Sequence, residues 1–114
     1  MVNSKQKGKR GELDFANWMK ENWKISARRG QQFKGSPDSP DLITSLSAIH
    51  FEVKLVERLN VQEAMTQAEA DGAGQIPVVA HRRNRTPWLI TLKASDAHRF
   101  ALELMANIAG DKPK

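Results

Sequence analysis

The chain has 114 residues, of which 39% are hydrophobic, a composition that suits one domain with a single modest core. It contains no cysteine, which excludes disulfides and thiolate metal sites, and it has neither a membrane-length apolar run nor a secretory signal, so we expect a cytoplasmic protein. The net charge of +5 is concentrated in residues 1–34, which hold nine Lys or Arg against three acids; this favours a polyanionic partner such as nucleic acid, although a solvated surface would carry the same charge.

The apolar spacing predicts elements in the order α-β-β-β-α-β-β-α. This order indicates an α/β (α+β) fold with one mixed sheet flanked by helices. Residues 1–7 are expected to form a flexible basic arm, and residues 8–110 a single domain. The first helix is predicted over residues 8–22. Its apolar face includes Phe15 and Met19 but also Glu12.

Strands are predicted over residues 24–32, 41–45 and 50–56, with a loop rich in Pro and Ser before the second. The third strand alternates, so that His50, Glu52 and Lys54 point away from the core side chains. Because few residues separate the second and third strands, we expect them to pair as a hairpin.

The second half of the chain should begin with a helix capped by Asn60 and ending at Asp71. Strands are predicted over residues 76–80 and 88–92, and Ser95 should cap a final helix closed by Gly110. Six residues of that helix are expected to face the core: Ala97, Phe100, Ala101, Leu104, Met105 and Ile108.

Asp41, Glu52 and Lys54 together favour phosphodiester hydrolysis. A hairpin would bring the two carboxylates together, and they repel unless a cation such as Mg²⁺ lies between them. Lys54 lies on the same strand face and can orient the attacking water or stabilise charge on a phosphate. In the alternative interpretation, Glu52 and Lys54 form a salt bridge and Asp41 is a turn residue.

Glu12 is predicted to belong to the same site, because a carboxylate on a core face is costly unless it is paired. If the first helix packs near the metal, Glu12 is a further ligand or accepts hydrogen bonds beside it. The alternative is that Glu12 only favours the helix dipole.

The sequence Pro40-Asp41, followed after ten residues by Glu52-Val53-Lys54, resembles the motif of PD-(D/E)xK nucleases. With Lys9-Arg10-Gly11-Glu12 in the first helix, residues 7–80 resemble the archaeal Holliday junction resolvases and their phage relatives. A second Pro-Asp pair ends at Asp38, but only Asp41 leads directly into a strand, so Asp38 is interpreted as a turn residue.

The resemblance implies a restriction-endonuclease-like fold and a structure-specific DNA endonuclease that uses Mg²⁺ or Mn²⁺. It implies metal binding by Asp41, Glu52 and the Val53 carbonyl, with Lys54 positioning the attacking water. A glutamine of the following helix often lies beside such sites. Gln67 is the candidate, Gln62 is its rival, and both can also be ordinary exposed residues.

A junction resolvase cuts two strands symmetrically, which implies a homodimer, in a bacterial or archaeal cell or a phage-infected host. The alternatives are other nucleases of the superfamily, nicking or general, and a DNA-binding module without catalysis.

Phosphate contacts are expected from Lys9, Arg10, Arg28, Arg29, Lys34, Ser36, Arg82 and Arg83. The histidines, His50, His81 and His98, lack metal-pair spacing and are expected at the surface or in phosphate contacts, whereas the tryptophans are expected in the core or a dimer contact.

Overall fold

The secondary structure follows the predicted order of elements. The computed structural model describes residues 4–30 and 42–108. Its elements are α1 (Ser4–Asn22), β1 (Ala27–Arg29), β2 (Leu42–Thr44), β3 (Ile49–Leu55), α2 (Val61–Asp71), β4 (Ile76–Arg82), β5 (Leu89–Leu92) and α3 (Ala97–Ile108), the last preceded by a 3₁₀ turn at Ala94–Asp96. Helix α1 begins at Ser4, so residues 4–7 of the expected basic arm are helical. None of the described helices is long and apolar enough to span a membrane.

The described strands form two sheets. Strands β1 and β2 pair antiparallel, while β3, β4 and β5 form a mixed sheet in which β3 and β4 are parallel and β4 and β5 antiparallel. The predicted hairpin between β2 and β3 is therefore wrong for the described strands. The Ser45 amide donates to the Ser26 carbonyl and extends the contact with the β1 side. Strand β3 instead pairs with β4, and α2 supplies the crossover that a parallel pair requires.

Helices cover both faces of the three-stranded sheet. On one face, Phe15 of α1 is fully buried and lies against Phe51 of β3, with ring centroids 5.6 Å apart. Trp18, Trp23 and Trp88 pack partly buried around this cluster, as the prediction of core tryptophans required. On the other face, α2 packs on Val79 of β4 through three buried residues, Ala64, Met65 and Ala68. A mixed sheet flanked by helices is thus confirmed.

Helix α3 differs from its prediction. Phe100 is buried against Trp23 and Leu104 is partly buried, but Met105 is 65% exposed and Ile108 45% exposed. Ala97 and Ala101 are also exposed, so four of the six expected core residues face outward. Amphipathic spacing predicted a helix correctly, but the described part of the chain covers only the edge of that helix near Phe100.

Candidate active site

Three polar residues of β3 lie in a row on the sheet face that α2 covers. Alternation along the strand turns His50, Glu52 and Lys54 towards α2, whereas Phe51 turns towards α1. The small residues of α2 allow that helix to approach closely. His50 is only 7% exposed and Glu52 only 4%, so an acidic and a basic side chain are buried side by side.

The two oxygens of the Glu52 carboxylate face different partners. Oε1 lies 3.4 Å from Nε2 of His50, and Oε2 lies 3.8 Å from Nζ of Lys54. Nζ of Lys54 also donates a hydrogen bond of 3.2 Å to Oε1 of Gln67 on α2. Of the two candidate glutamines, Gln67 is the one brought to Lys54. Gln62 is exposed, and its main-chain carbonyl accepts the Thr66 hydroxyl.

The Val53 carbonyl points to the edge of β3 that faces away from β4. The Ala48 carbonyl accepts a hydrogen bond from the Ile76 amide, and the Val56 amide donates one to the Arg82 carbonyl. The peptide groups of even-numbered residues along β3 therefore point towards β4. Alternation turns the peptide groups of odd-numbered residues the other way. The side chain of Val53 packs on the α1 side of the sheet, where Gly11 lets the helix lie close: a Cβ there would be only 3.2 Å from the Cβ of Leu55.

Glu12 and Arg29, both predicted functional residues, are ion-paired. Nε of Arg29 donates to Oε1 of Glu12 over 2.8 Å, and the Glu12 side chain is only 14% exposed. The pairing connects α1 to β1 and compensates the charge of a carboxylate on a largely apolar helix face.

The predicted phosphate contacts differ in their surroundings. Lys9, Arg10, Arg28 and Arg83 are exposed. Arg82 is instead half-buried. Its guanidinium donates a hydrogen bond of 3.2 Å to Asp14 and lies over the Trp88 ring, 4.8 Å from the ring centre. The remaining predicted residues, Lys34, Ser36, Asp38 and Asp41, lie outside the described residues.

The histidine predictions need correction. His50 is buried, not at the surface, and its ring, the Glu52 carboxylate and the Asp71 carboxylate have ligand atoms within 4.8 Å of one another. His81 is half-buried with Nε2 2.9 Å from Oγ1 of Thr91, and its burial lowers the pKa of its imidazole. His98 is exposed, as expected. The alternation of β3 puts His50 on the same strand face as Glu52, and this could have suggested that His50 belongs to the site. No feature of the sequence suggested the same for Asp71.

Comparison with known proteins identifies the fold. No family model matches the chain, and no curated protein matches it. A solved structure of Hjc from Archaeoglobus fulgidus, a Holliday junction resolvase from an archaeal hyperthermophile, superimposes with a TM-score of 0.53 at 22% identity. The match covers 75% of this chain and 76% of that one. The chain therefore has a resolvase-like, restriction-endonuclease-like fold, as its motifs predicted.

Proposed function

We propose that this protein is a Mg²⁺-dependent, structure-specific DNA endonuclease that resolves Holliday junctions in the cytoplasm of a bacterial or archaeal cell or a phage-infected host. The observation that carries the proposal is the buried Glu52 carboxylate, 3.8 Å from the Lys54 ammonium, on a strand of a resolvase-like fold. Buried carboxylates are costly unless a cation compensates them, and an acidic and an ammonium group on one strand face suit phosphodiester hydrolysis.

The donors on this strand fit a hard cation. Glu52 offers a carboxylate and Val53 a carbonyl directed to the outer edge of β3, and Mg²⁺ prefers oxygen ligands of both kinds. Because β2 and β3 do not pair among the described strands, Asp41, which immediately precedes β2 in the sequence, is proposed as the second carboxylate on its motif resemblance alone. When bound, Mg²⁺ would polarise the scissile phosphate and stabilise the charge that develops on it.

Lys54 has the position and charge to act on the same phosphate. The hydrogen bond to Gln67 restrains the long lysine side chain, whose Nζ therefore stays near the Glu52 carboxylate. An ammonium held in place stabilises developing negative charge or orients the attacking water without reorganising during the reaction. Gln67 is thus a positioning residue that acts through Lys54.

Exposed basic residues of the first third would hold the DNA. Lys9 and Arg10 lie on α1 and Arg28 on β1, and all three are exposed. Contacts of this kind bind the phosphate backbone and do not read bases. They support binding of DNA without recognition of a defined sequence.

A second copy of the chain would complete a resolvase, because symmetric cutting of two strands requires two centres. Helix α3 offers the surface for it. Leu102 is 55% exposed, Met105 65% and Ile108 45%, and their spacing puts them on one side of the helix. Association through these residues predicts a dimer in sedimentation, and Met105→Lys should shift it to the monomer, whereas His98→Lys should not.

The proposal is tested by incubating the protein with a four-way junction, a nicked duplex and a linear duplex, in Mg²⁺ or EDTA. Paired, symmetric cuts in the junction are expected with Mg²⁺ alone. Lys54→Met should slow cutting by about 100-fold or more and Gln67→Leu by about tenfold, while Glu69→Gln, an exposed carboxylate of α2, should cut normally.

Each other outcome has a definite meaning. Cutting that survives EDTA contradicts the metal mechanism, and a Lys54→Met variant that cuts at the wild-type rate contradicts the assigned role of Lys54. Binding of all three DNAs with no cutting identifies a DNA-binding module instead. Preference for nicked or linear duplex identifies a different nuclease.

A further inference from the structure

The Glu52 carboxylate has a second side, which the proposed nuclease centre does not use. Oε2 faces Lys54, whereas Oε1 faces Nε2 of His50 over 3.4 Å. On this side His50, Glu52 and Asp71 bring one ligand atom each within 4.8 Å of one another. We propose that these three residues form a binding site for one divalent transition-metal ion of the class of Zn²⁺.

The kind of ion follows from the donors. An imidazole nitrogen beside two carboxylates suits first-row transition metals, whereas Mg²⁺ and Ca²⁺ prefer oxygen alone. The Nε2 of His50 and the Oε1 of Glu52 are 3.4 Å apart, a separation that allows both atoms to bind one ion at about 2.0–2.2 Å. The site is therefore chemically distinct from the oxygen site proposed for Mg²⁺, although it shares Glu52.

Two of the three ligands are held in place by the fold. His50 is 7% exposed and Glu52 is 4% exposed, and both belong to β3, which pairs with β4 along its whole length. Buried ligands on a paired strand lose little conformational freedom when an ion binds. A divalent ion would also compensate a carboxylate that lies beyond hydrogen-bond distance of Lys54.

Gly72 explains how the third ligand reaches the site. The C-terminal end of α2 approaches His50 so closely that a Cβ on Gly72 would lie 2.4 Å from the His50 Cβ. The Gly72 amide closes the helix on the Ala68 carbonyl over 3.0 Å. Asp71 precedes this contact, so the helix end packed on His50 also delivers the Asp71 carboxylate. Because Asp71 is exposed, it leaves a path from solvent for the ion.

The experiment is a calorimetric titration of the metal-free protein with Zn²⁺, repeated with Mg²⁺, in the absence of DNA. The wild type should bind one Zn²⁺ per chain. Asp71→Asn, at an exposed position where folding is not at risk, should weaken Zn²⁺ binding by at least tenfold. His50→Gln should do the same, with circular dichroism as the check on its fold. Two matched controls, Glu69→Gln on the same helix and His98→Gln on α3, should bind Zn²⁺ as the wild type does.

The outcomes separate this inference from the proposed nuclease. Absence of Zn²⁺ binding by the wild type overturns the site, and so does unchanged binding by Asp71→Asn. If His50→Gln does not fold, Asp71→Asn decides alone. Because the titration contains no DNA, its result does not depend on whether the protein cuts junctions. In the same way, junction cutting in Mg²⁺ by Asp71→Asn is no evidence for or against Zn²⁺ binding.

Discussion

Replacing Gly72 by Ala tests the contact that brings α2 against the polar row of β3. The added Cβ would lie 2.4 Å from the Cβ and 2.5 Å from the Cγ of His50, whereas carbon atoms in contact are about 3.5–4.0 Å apart. No rotamer relieves the first clash, because the His50 Cβ is fixed to a strand paired with β4. The helix and the strand must therefore separate by about 1 Å or more, and overpacking of this kind costs about 1–3 kcal/mol.

Urea unfolding followed by tryptophan fluorescence measures that cost. The φ of Gly72 is −111°, which any residue adopts, so the penalty comes from packing alone. Gly74→Ala is the contrasting variant: nothing lies within 4 Å of its Cβ, but its φ of +84° gives a purely conformational cost of about 1–2 kcal/mol.

A double-mutant comparison separates the clash with the His50 Cβ from the clash with the His50 ring. The Gly72→Ala penalty should persist in a His50→Ala background, because the alanine retains the clashing Cβ, and should fall in a His50→Gly background. Stability of Gly72→Ala within about 0.5 kcal/mol of the wild type would refute the close packing of α2 on His50.

Three further predictions concern stability. Phe15→Ala removes a fully buried ring at the centre of the aromatic cluster and should cost about 3–5 kcal/mol in urea unfolding, whereas a loss below about 1 kcal/mol would contradict that packing. Asn60→Ala removes the side-chain oxygen that accepts the Glu63 amide over 3.0 Å and should cost about 1 kcal/mol, with Asn60→Asp as the near-neutral control. Burial lowers the pKa of His81 from 6.5, so the unfolded chain binds more protons and stability should fall as the pH drops through 6.5 towards the lowered pKa. His81→Gln, which keeps a polar partner for Thr91, should weaken this pH dependence, and an unchanged slope would show that His81 does not cause it.

The sequence predicted those parts of the site that depend on local geometry. The period of two in β3 correctly put Glu52 and Lys54 on one face, and the Asn60 cap located the start of α2 to the residue. Gln67 flanks the apolar stripe of α2, which favoured it as the candidate, and it does reach Lys54. Each of these inferences required only the periodicity or the capping residue of a single helix or strand.

Contacts between distant elements could not be predicted in this way. The short connection after β2 suggested a hairpin with β3, but β2 pairs with β1, because strands that are consecutive in sequence are not always neighbours in the sheet. The approach of Asp71 to His50 depends on the packing angle of α2, which no spacing encodes. For α3, periodicity indicated an apolar face but not what covers it, and Met105 is exposed among the described residues.

Single-turnover cutting of a labelled four-way junction by Glu52→Gln tests most directly whether Glu52 lies in a nuclease centre. The glutamine keeps the shape of a side chain that is 4% exposed and removes only its charge, so the protein should fold and bind the junction as the wild type does. We expect cutting in Mg²⁺ to be at least about 100-fold slower, since loss of a carboxylate ligand removes several kcal/mol of transition-state stabilisation. Cutting by Glu52→Gln at the wild-type rate would contradict the account.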